Sequence, residues 1–391
     1  MINLTLRSEY SFKKTFGKIT DITKHSNGKD YLGIAELNNT FSHVKFEKIC
    51  KSEGIKPIFG VRLEVVYDSK LKTRSHYGPE HIFIAKNQAG LKAIYELVKS
   101  SYDNFYYKPM VPKSHMDSLN RSDVVIICEN PYDLESIDYI GLSPSTNKIM
   151  LEFDKPFVAL NNNAYSRPWD KEPYELLAGA RKHGDGFRYL FNDQTYPRHI
   201  LSEKEWLRLW PNRQDAIDNT YKIAEQCDVE IPSAPMVKYH SEFDIEALCV
   251  DGAKELGIDL KGEYRERLDR ELAVILEKDF TDYFMVVAEM IWKAKKKMLV
   301  GPARGSSAGS LVCYLLKITT VDPIKHDLLF ERFIDINRPD LPDIDIDFPD
   351  EKRQAVIKDL FKTYGKDNVY HIANINKLKA KSALDEFGMS L

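Results

Sequence analysis

No stretch of the sequence approaches the roughly 18 consecutive apolar residues that a bilayer-spanning helix needs. The opening residues, Met1 to Arg7, also lack the basic and apolar regions of a secretory leader. A cytoplasmic chain with no membrane partner is expected. Cysteine is sparse: Cys50, Cys128, Cys227, Cys249 and Cys313 stand apart, with no Cys-x-x-Cys pair. That pattern indicates neither a disulfide framework nor a thiolate zinc site. Net charge is small, −3, so nucleic acid could be held only by local basic patches and not by the mean field. No Gly-Lys-Ser/Thr stands at the spacing of a P-loop. What the chain does have is length and apolar content, 391 residues at 43% hydrophobic, enough for two or three domains.

The most informative stretch runs from Val300 to Phe348. Leu341 to Phe348 (LPDIDIDF) alternates with period two, so as a strand it would set Asp343, Asp345 and Asp347 on one face and Ile344, Ile346 and Phe348 on the other. Carboxylates at that spacing suit a pair of divalent ions in phosphoryl chemistry. A solvated acidic edge strand would carry the same run. Upstream, Lys297 to Gly301 reads as a short buried strand and Ser307 to Lys317 as a helix, joined by a Gly/Ser turn carrying Arg304. Unpaired amides at the start of such a helix, with a fixed guanidinium beside them, are suited to a triphosphate.

Three ordered blocks in this stretch, Gly301 to Ser306 (GPARGS), Leu328 to Phe333 (LLFERF) and Pro342 to Phe348 (PDIDIDF), resemble the palm of the bacterial family C replicative polymerases, the DNA polymerase III alpha subunits. Ala303 replaces a glycine of the family pattern. The resemblance implies that Asp343 and Asp345 are catalytic and hold two Mg2+ ions, with Asp347 a supporting metal carboxylate. It implies nucleotide binding by Arg304, Gly305, Ser306 and Arg332. For Arg332 a helix-end ion pair with Glu331 or Asp335 is the plainer alternative.

The first half alternates strands and helices in the manner of an α/β barrel. Strands are expected at Ile2 to Leu6, Tyr31 to Ala35, Lys56 to Val66, His81 to Ala85 and Val124 to Cys128, with helices over 42–53 and 89–100. Gly54 to Gly60 (GIKPIFG), Ala85 to Asn87 (AKN), Phe105 to Pro109 (FYYKP) and Tyr165 to Pro168 (YSRP) resemble, in order, the PHP domain that opens the same polymerases. An active PHP domain binds metals through His and acidic residues. Here Thr5-Leu6-Arg7 replaces His-x-His, Ala35-Glu36-Leu37 replaces Thr-Asp-His, Arg62 replaces an acidic residue, and Asn161 to Ala164 replaces Asn-Asp-x-His. Of the implied ligands only His81 and Glu36 survive, so neither bound metal nor hydrolase activity is expected in this part.

The expected organisation is a PHP-like α/β barrel domain over 1–232, its metal site degenerate, followed by a mixed α+β, nucleotidyltransferase-like palm portion over 233–391. The palm portion would comprise a helical lead-in, 240–297, and a catalytic segment, 298–391, with the boundary at the Pro-rich Pro232 to Pro235. Helices are expected at 215–227, 245–256, 264–276, 283–297, 350–364 and 377–387, and a strand at 367–373. Lys293, Lys295, Lys296 and Lys297 form a basic cluster that is either a solvated face or a nucleotide-binding patch. The resemblance covers only the front of the family protein; the third catalytic aspartate, the fingers and the clamp-binding region have no counterpart here. The implied reading is therefore an incomplete DNA-directed DNA polymerase acting on primer-template DNA and deoxynucleoside triphosphates, completed by a second polypeptide. Two other readings stand beside it: a non-catalytic replisome scaffold or remnant, and a PHP-type phosphoesterase or 3′–5′ exonuclease.

Overall fold

The computed structural model describes residues 1–12, 14–26, 30–67, 78–179, 196–233, 237–239, 244–337, 341–376 and 381. These residues divide into a unit built from Met1–Pro232 and a unit built from Ser233–Asn376.

The first unit is a mixed sheet of seven strands: β1 (Tyr31–Leu37), β2 (Lys56–Val66), β3 (Glu80–Ala85), β4 (Val111–Pro112), β5 (Val124–Cys128), β6 (Tyr139–Leu142) and β7 (Phe157–Ala159). Their order is β1-β2-β3-β5-β6-β7, with β4 paired to β2. β3 runs antiparallel to both neighbours and every other pairing is parallel. The strands read as nearly unbroken apolar runs because both faces are covered. Phe83 and Ala85 of β3, and Val124, Ile126 and Cys128 of β5, join one core. Their alternate neighbours Ile82, Ile84, Val125 and Ile127 join a second core on the other face. Two tryptophans of the segment that follows tie it to the sheet: Trp206 Nε1 donates to the Leu142 carbonyl at 3.1 Å and Trp210 Nε1 to that of Ser143 at 3.2 Å.

Ile2 to Leu6 is not a regular strand. It lies extended along β1, the Asn3 carbonyl accepting from Gly33 N at 2.7 Å and Leu6 N donating to the Gly33 carbonyl at 3.1 Å. The approach requires glycine, since a Cβ on Gly33 would come within 2.0 Å of the Leu4 carbonyl oxygen.

The second unit is helical wherever it is regular. Helices span Ile245–Leu256, Glu263–Glu277, Thr281–Lys295, Leu311–Leu315 and Arg353–Tyr364, joined by 3-10 turns at Gly305–Gly309, Phe330–Arg332 and Asp350–Lys352. Three expected strands are absent. Lys297 to Gly301 is a turn followed by extended chain with Leu299 at 88% exposure, too wet for a buried strand. The acidic run pairs through a single bridge, Arg304 with Asp345. Residues 367–373 are exposed and irregular, Ile372 at 96%. In each case no neighbouring strand among the described residues supplies a ladder, so alternation alone does not make a sheet. The expected helix over 307–317 is a 3-10 turn and the short helix Leu311–Leu315. The helix expected over 377–387 lies outside the described residues except for Lys381, as does part of the Pro-rich segment after Ser233.

Candidate functional site

The acidic run keeps its alternation without being a strand. Ile344 and Ile346 pack on the core of the second unit while Asp343 and Asp347 are exposed and Asp345 is half-buried. Tyr283, on the helix Thr281–Lys295, lies behind the run. Burial raises its phenol's pKa, the Ile344 backbone opposes that, and Asp343 and Asp345 add to it.

The Gly/Ser turn is fastened to this run. Gly301 N donates to the Asp347 carbonyl at 3.0 Å and Thr320 N to the Pro302 carbonyl at 2.7 Å. Arg304 then projects across the acidic face, its Nη2 3.2 Å from Asp345 Oδ1 and its Nη1 3.7 Å from Asp347 Oδ1. Gly305 follows with φ at +65°. A side chain there would be strained by the backbone and would bring its Cβ within 2.8 Å of Asp345 Oδ2.

Ser306, Arg332 and Asp343 line one cleft of about 400 Å³, with Asp335, Leu341 and Pro342. The volume is within the range of small-molecule sites, but the lining is mostly polar and charged, which suits a charged ligand better than an apolar one. Arg332 is exposed there and makes no ion pair among the described residues, while Glu331 pairs with Arg270 at 3.6 Å. The helix-end pairing with Glu331 or Asp335 is therefore not made. All seven residues singled out in the sequence fall in two contiguous groups, the cleft and the Arg304 contact.

One expectation for this region is corrected, and one alternative left open is narrowed. The first amides of the helix Leu311–Leu315 are not open to a phosphate, because Leu311 N and Val312 N donate to Glu271 at 2.9 and 3.0 Å and Cys313 N donates to Ser310 Oγ at 3.1 Å. Amides already bonded to a buried carboxylate cannot also hold an anion. The lysine cluster is largely engaged within the unit. Lys293 binds Glu289 at 2.7 Å and Thr363 at 3.1 Å, Lys295 donates to the Lys317 carbonyl at 2.6 Å, and Lys297 pairs with Asp359.

The sequence reading missed Glu271 and Arg267. Glu271 is fully buried, and besides the two amides it accepts from Ser310 Oγ at 2.8 Å and from Arg267 Nε at 2.6 Å. Burial raises its pKa against those donors. Arg267 continues the network through Nη2 to the carbonyls of Gly309, at 2.6 Å, and Leu328, at 2.9 Å. The buried Glu271 and its partner Arg267 thus hold the end of the Gly/Ser turn against the block that carries Arg332. An i,i+4 Arg/Glu spacing was the available signal, but it is shared by exposed helix pairs such as Arg265 with Asp269.

In the first unit, Arg62, Arg7 and the segment Asn161 to Asn163, which stand where the resemblance implies metal ligands, come together with different chemistry. Arg62 is fully buried, donating to the Thr5 carbonyl and hydroxyl at 3.1 Å each and to Glu80 Oε1 at 3.1 Å. Arg7 donates to the main-chain carbonyls of Asn162 at 3.2 Å and Asn163 at 2.8 Å. The Asn163 amide accepts from Arg7 N and donates to Arg7 O, and the Asn161 amide closes the same kind of pair around Leu201. These asparagines serve as backbone zips because an amide both donates and accepts.

His81 and Glu36 do not join that centre. Arg62 stands opposite Ile82, so alternation turns His81 to the other face of the sheet, where its ring stacks on Phe83. Burial lowers its pKa to about 4. Glu36 shares the face of Ile34 and accepts from Ser8 and Ser11, and burial raises its pKa. Among the described residues no three His, Cys, Asp or Glu side chains are grouped to hold a metal.

Comparison with known proteins gives two family matches. Residues 3–154 match the PHP domain, and residues 244–391 match the bacterial DNA polymerase III alpha NTPase domain. The chain is similar to DNA polymerase III subunit alpha of Treponema pallidum, 30% identical over 446 residues, covering 100% of this chain and 38% of that protein. The namesake of Staphylococcus aureus strain Mu50 is 32% identical, covering 98% and 36% respectively. That of Helicobacter pylori strain 26695 is 28% identical, covering 98% and 38%. The chain thus spans less than two fifths of the length of these relatives.

Proposed function

The chain belongs to the bacterial DNA polymerase III alpha family, carrying a PHP domain and an alpha-type NTPase domain, and on that premise we propose that it is the N-terminal portion of a replicative DNA-directed DNA polymerase. Its domains are a PHP-like barrel over 1–232 and the first part of the palm over 233–391. The reaction is template-directed nucleotidyl transfer, with primer-template DNA and deoxynucleoside triphosphates as substrates.

The observation that carries this reading is the convergence of Ser306, Arg332 and Asp343 on one cleft, next to the contact of Arg304 and Gly305 with Asp345. Asp343 and Asp345 offer carboxylate oxygens, the donor type that hard Mg2+ prefers, with Asp347 in support. When bound, two such ions supply the activation of the primer 3′-hydroxyl and the stabilisation of the departing pyrophosphate. The chain's own part is to orient the triphosphate. Gly305 lets the backbone pass close to Asp345, Ser306 offers a hydroxyl in the cleft, and Arg304 and Arg332 neutralise phosphate charge. Arg304 must leave Asp345 and Asp347 for this, an exchange that its 62% exposure makes easy.

The test is magnesium-dependent primer extension by the tagged chain together with the polypeptides that co-purify from its native cell. Asp345→Asn should abolish synthesis while the melting temperature stays unchanged. Near-normal extension by that variant would sink the assignment.

A further inference from the structure

The inner face of the first unit's sheet changes character along its strands. Ile58, Ile82 and Val125 give way to Arg62, Glu80 and Glu129, charges that a sheet interior does not hold without compensation. We infer that Arg7 and Arg62 stand permanently in the place of divalent cations here, so that the PHP-type unit is closed by its own charges and takes no metal.

The charges balance internally. Arg62 Nη1 is 3.1 Å from Glu80 and 4.0 Å from Glu129. Arg7 feels Arg62 on one side and Glu80 and Glu129 on the other, and burial with Arg62 as neighbour lowers its pKa to about 10. The second oxygen of Glu129 already accepts from Ser143 Oγ at 2.6 Å, Ser145 Oγ at 3.2 Å and Thr146 Oγ1 at 3.3 Å. A divalent ion entering would meet two fixed guanidiniums and carboxylate oxygens that are already bonded. Where the resemblance implies a carboxylate and an imidazole it would find the Asn162 amide and the Ala164 methyl, with Arg7 bonded to the main-chain carbonyls of Asn162 and Asn163. With no ion there is no metal-activated water, and the unit hydrolyses no phosphoester. The inference concerns the first unit alone and does not depend on the polymerase assignment.

The experiment uses the full chain with Asp343→Asn, Asp345→Asn and Asp347→Asn, so that the acidic run contributes no ions. It is equilibrated with Zn2+ or Mn2+, desalted, analysed for metal and melted with and without chelator. Substoichiometric metal and a chelator-independent melt are expected; a stoichiometric ion whose removal lowers the melt overturns the inference. A second arm compares Arg62→Met with Arg62→Lys. The Met variant should melt ~5 °C lower or more, with part of the loss recovered by Lys, which keeps the charge. A Met variant that melts like the parent overturns the inference equally.

Discussion

Arginine meets carboxylate in both units, and the two meetings differ in burial. Arg62 is sealed, with 1% of its side chain exposed against Glu80 and Glu129, whereas Arg304 reaches Asp345 and Asp347 with 62% exposed. A buried guanidinium has no water to replace a lost partner, so its pairing is part of the fold. An exposed one trades partners cheaply. The same residue types therefore give a closed structural centre in one unit and a contact that a triphosphate can open in the other.

That contrast predicts a graded series. Arg62→Met should cost toward the lower end of about 3–5 kcal/mol in chemical denaturation, since Glu80 stays partly in water when its partner goes. Arg304→Met should leave stability unchanged while weakening nucleotide binding; equal stability losses at the two sites would erase the distinction.

His43 sharpens the same point from pH. It is buried against Phe59 and Tyr95, with Nε2 on the Gly60 carbonyl, and burial lowers its pKa to about 4. The folded state therefore binds its proton less readily than the unfolded chain, whose histidine titrates near 6.5. Stability contributed by neutral His43 is complete above that value and falls as pH drops toward 4, by up to about 3 kcal/mol. His43→Phe should flatten that part of the pH–stability profile. A profile as steep as the parent's would show that the first unit's interior is not sealed at this point.

Glu271→Gln asks whether burial or unit membership decides. Glu271 is buried, with Arg267 nearly so, in the same unit as exposed Arg304, so the substitution should cost about 2 kcal/mol, the scale of a charge-assisted hydrogen bond. It should also loosen the Gly/Ser turn, read as faster amide exchange at Leu311 and Val312. No change in either would leave burial irrelevant.

Much of the first unit could be read in advance. β2 was expected over Lys56–Val66 and is found there, and the helix Gln214–Gln226 lies within a residue of its expected bounds. Long apolar runs with covered faces leave few alternatives. The capping box at Ser202 and Glu205 is likewise a local device, and it is made. The second unit was harder because its alternation is real but unpaired. Ile344 and Ile346 turn to the core as a strand would, yet the run forms a single backbone bridge, Asp345 with Arg304. The helix amides misled, and the lysine cluster could not be decided, for a related reason: which groups are free depends on distant residues, Asp359 for Lys297 and Glu271 for Leu311.

By itself the sequence determined what rests on neighbours along the chain: the long strands and helices of the first unit, the Gly/Ser turn, the carboxylate row, and the loss of imidazoles from the PHP-like part. Only the tertiary structure decided which faces those residues share and which partners they already hold. It turned His81 away from Arg62, set Arg304 on Asp345, and placed Glu271 on the amides that start the helix after the Gly/Ser turn. Occupancy of a donor or a charge is a property of what packs against it, and contacts between residues tens to hundreds of positions apart leave no local trace in the order of residues.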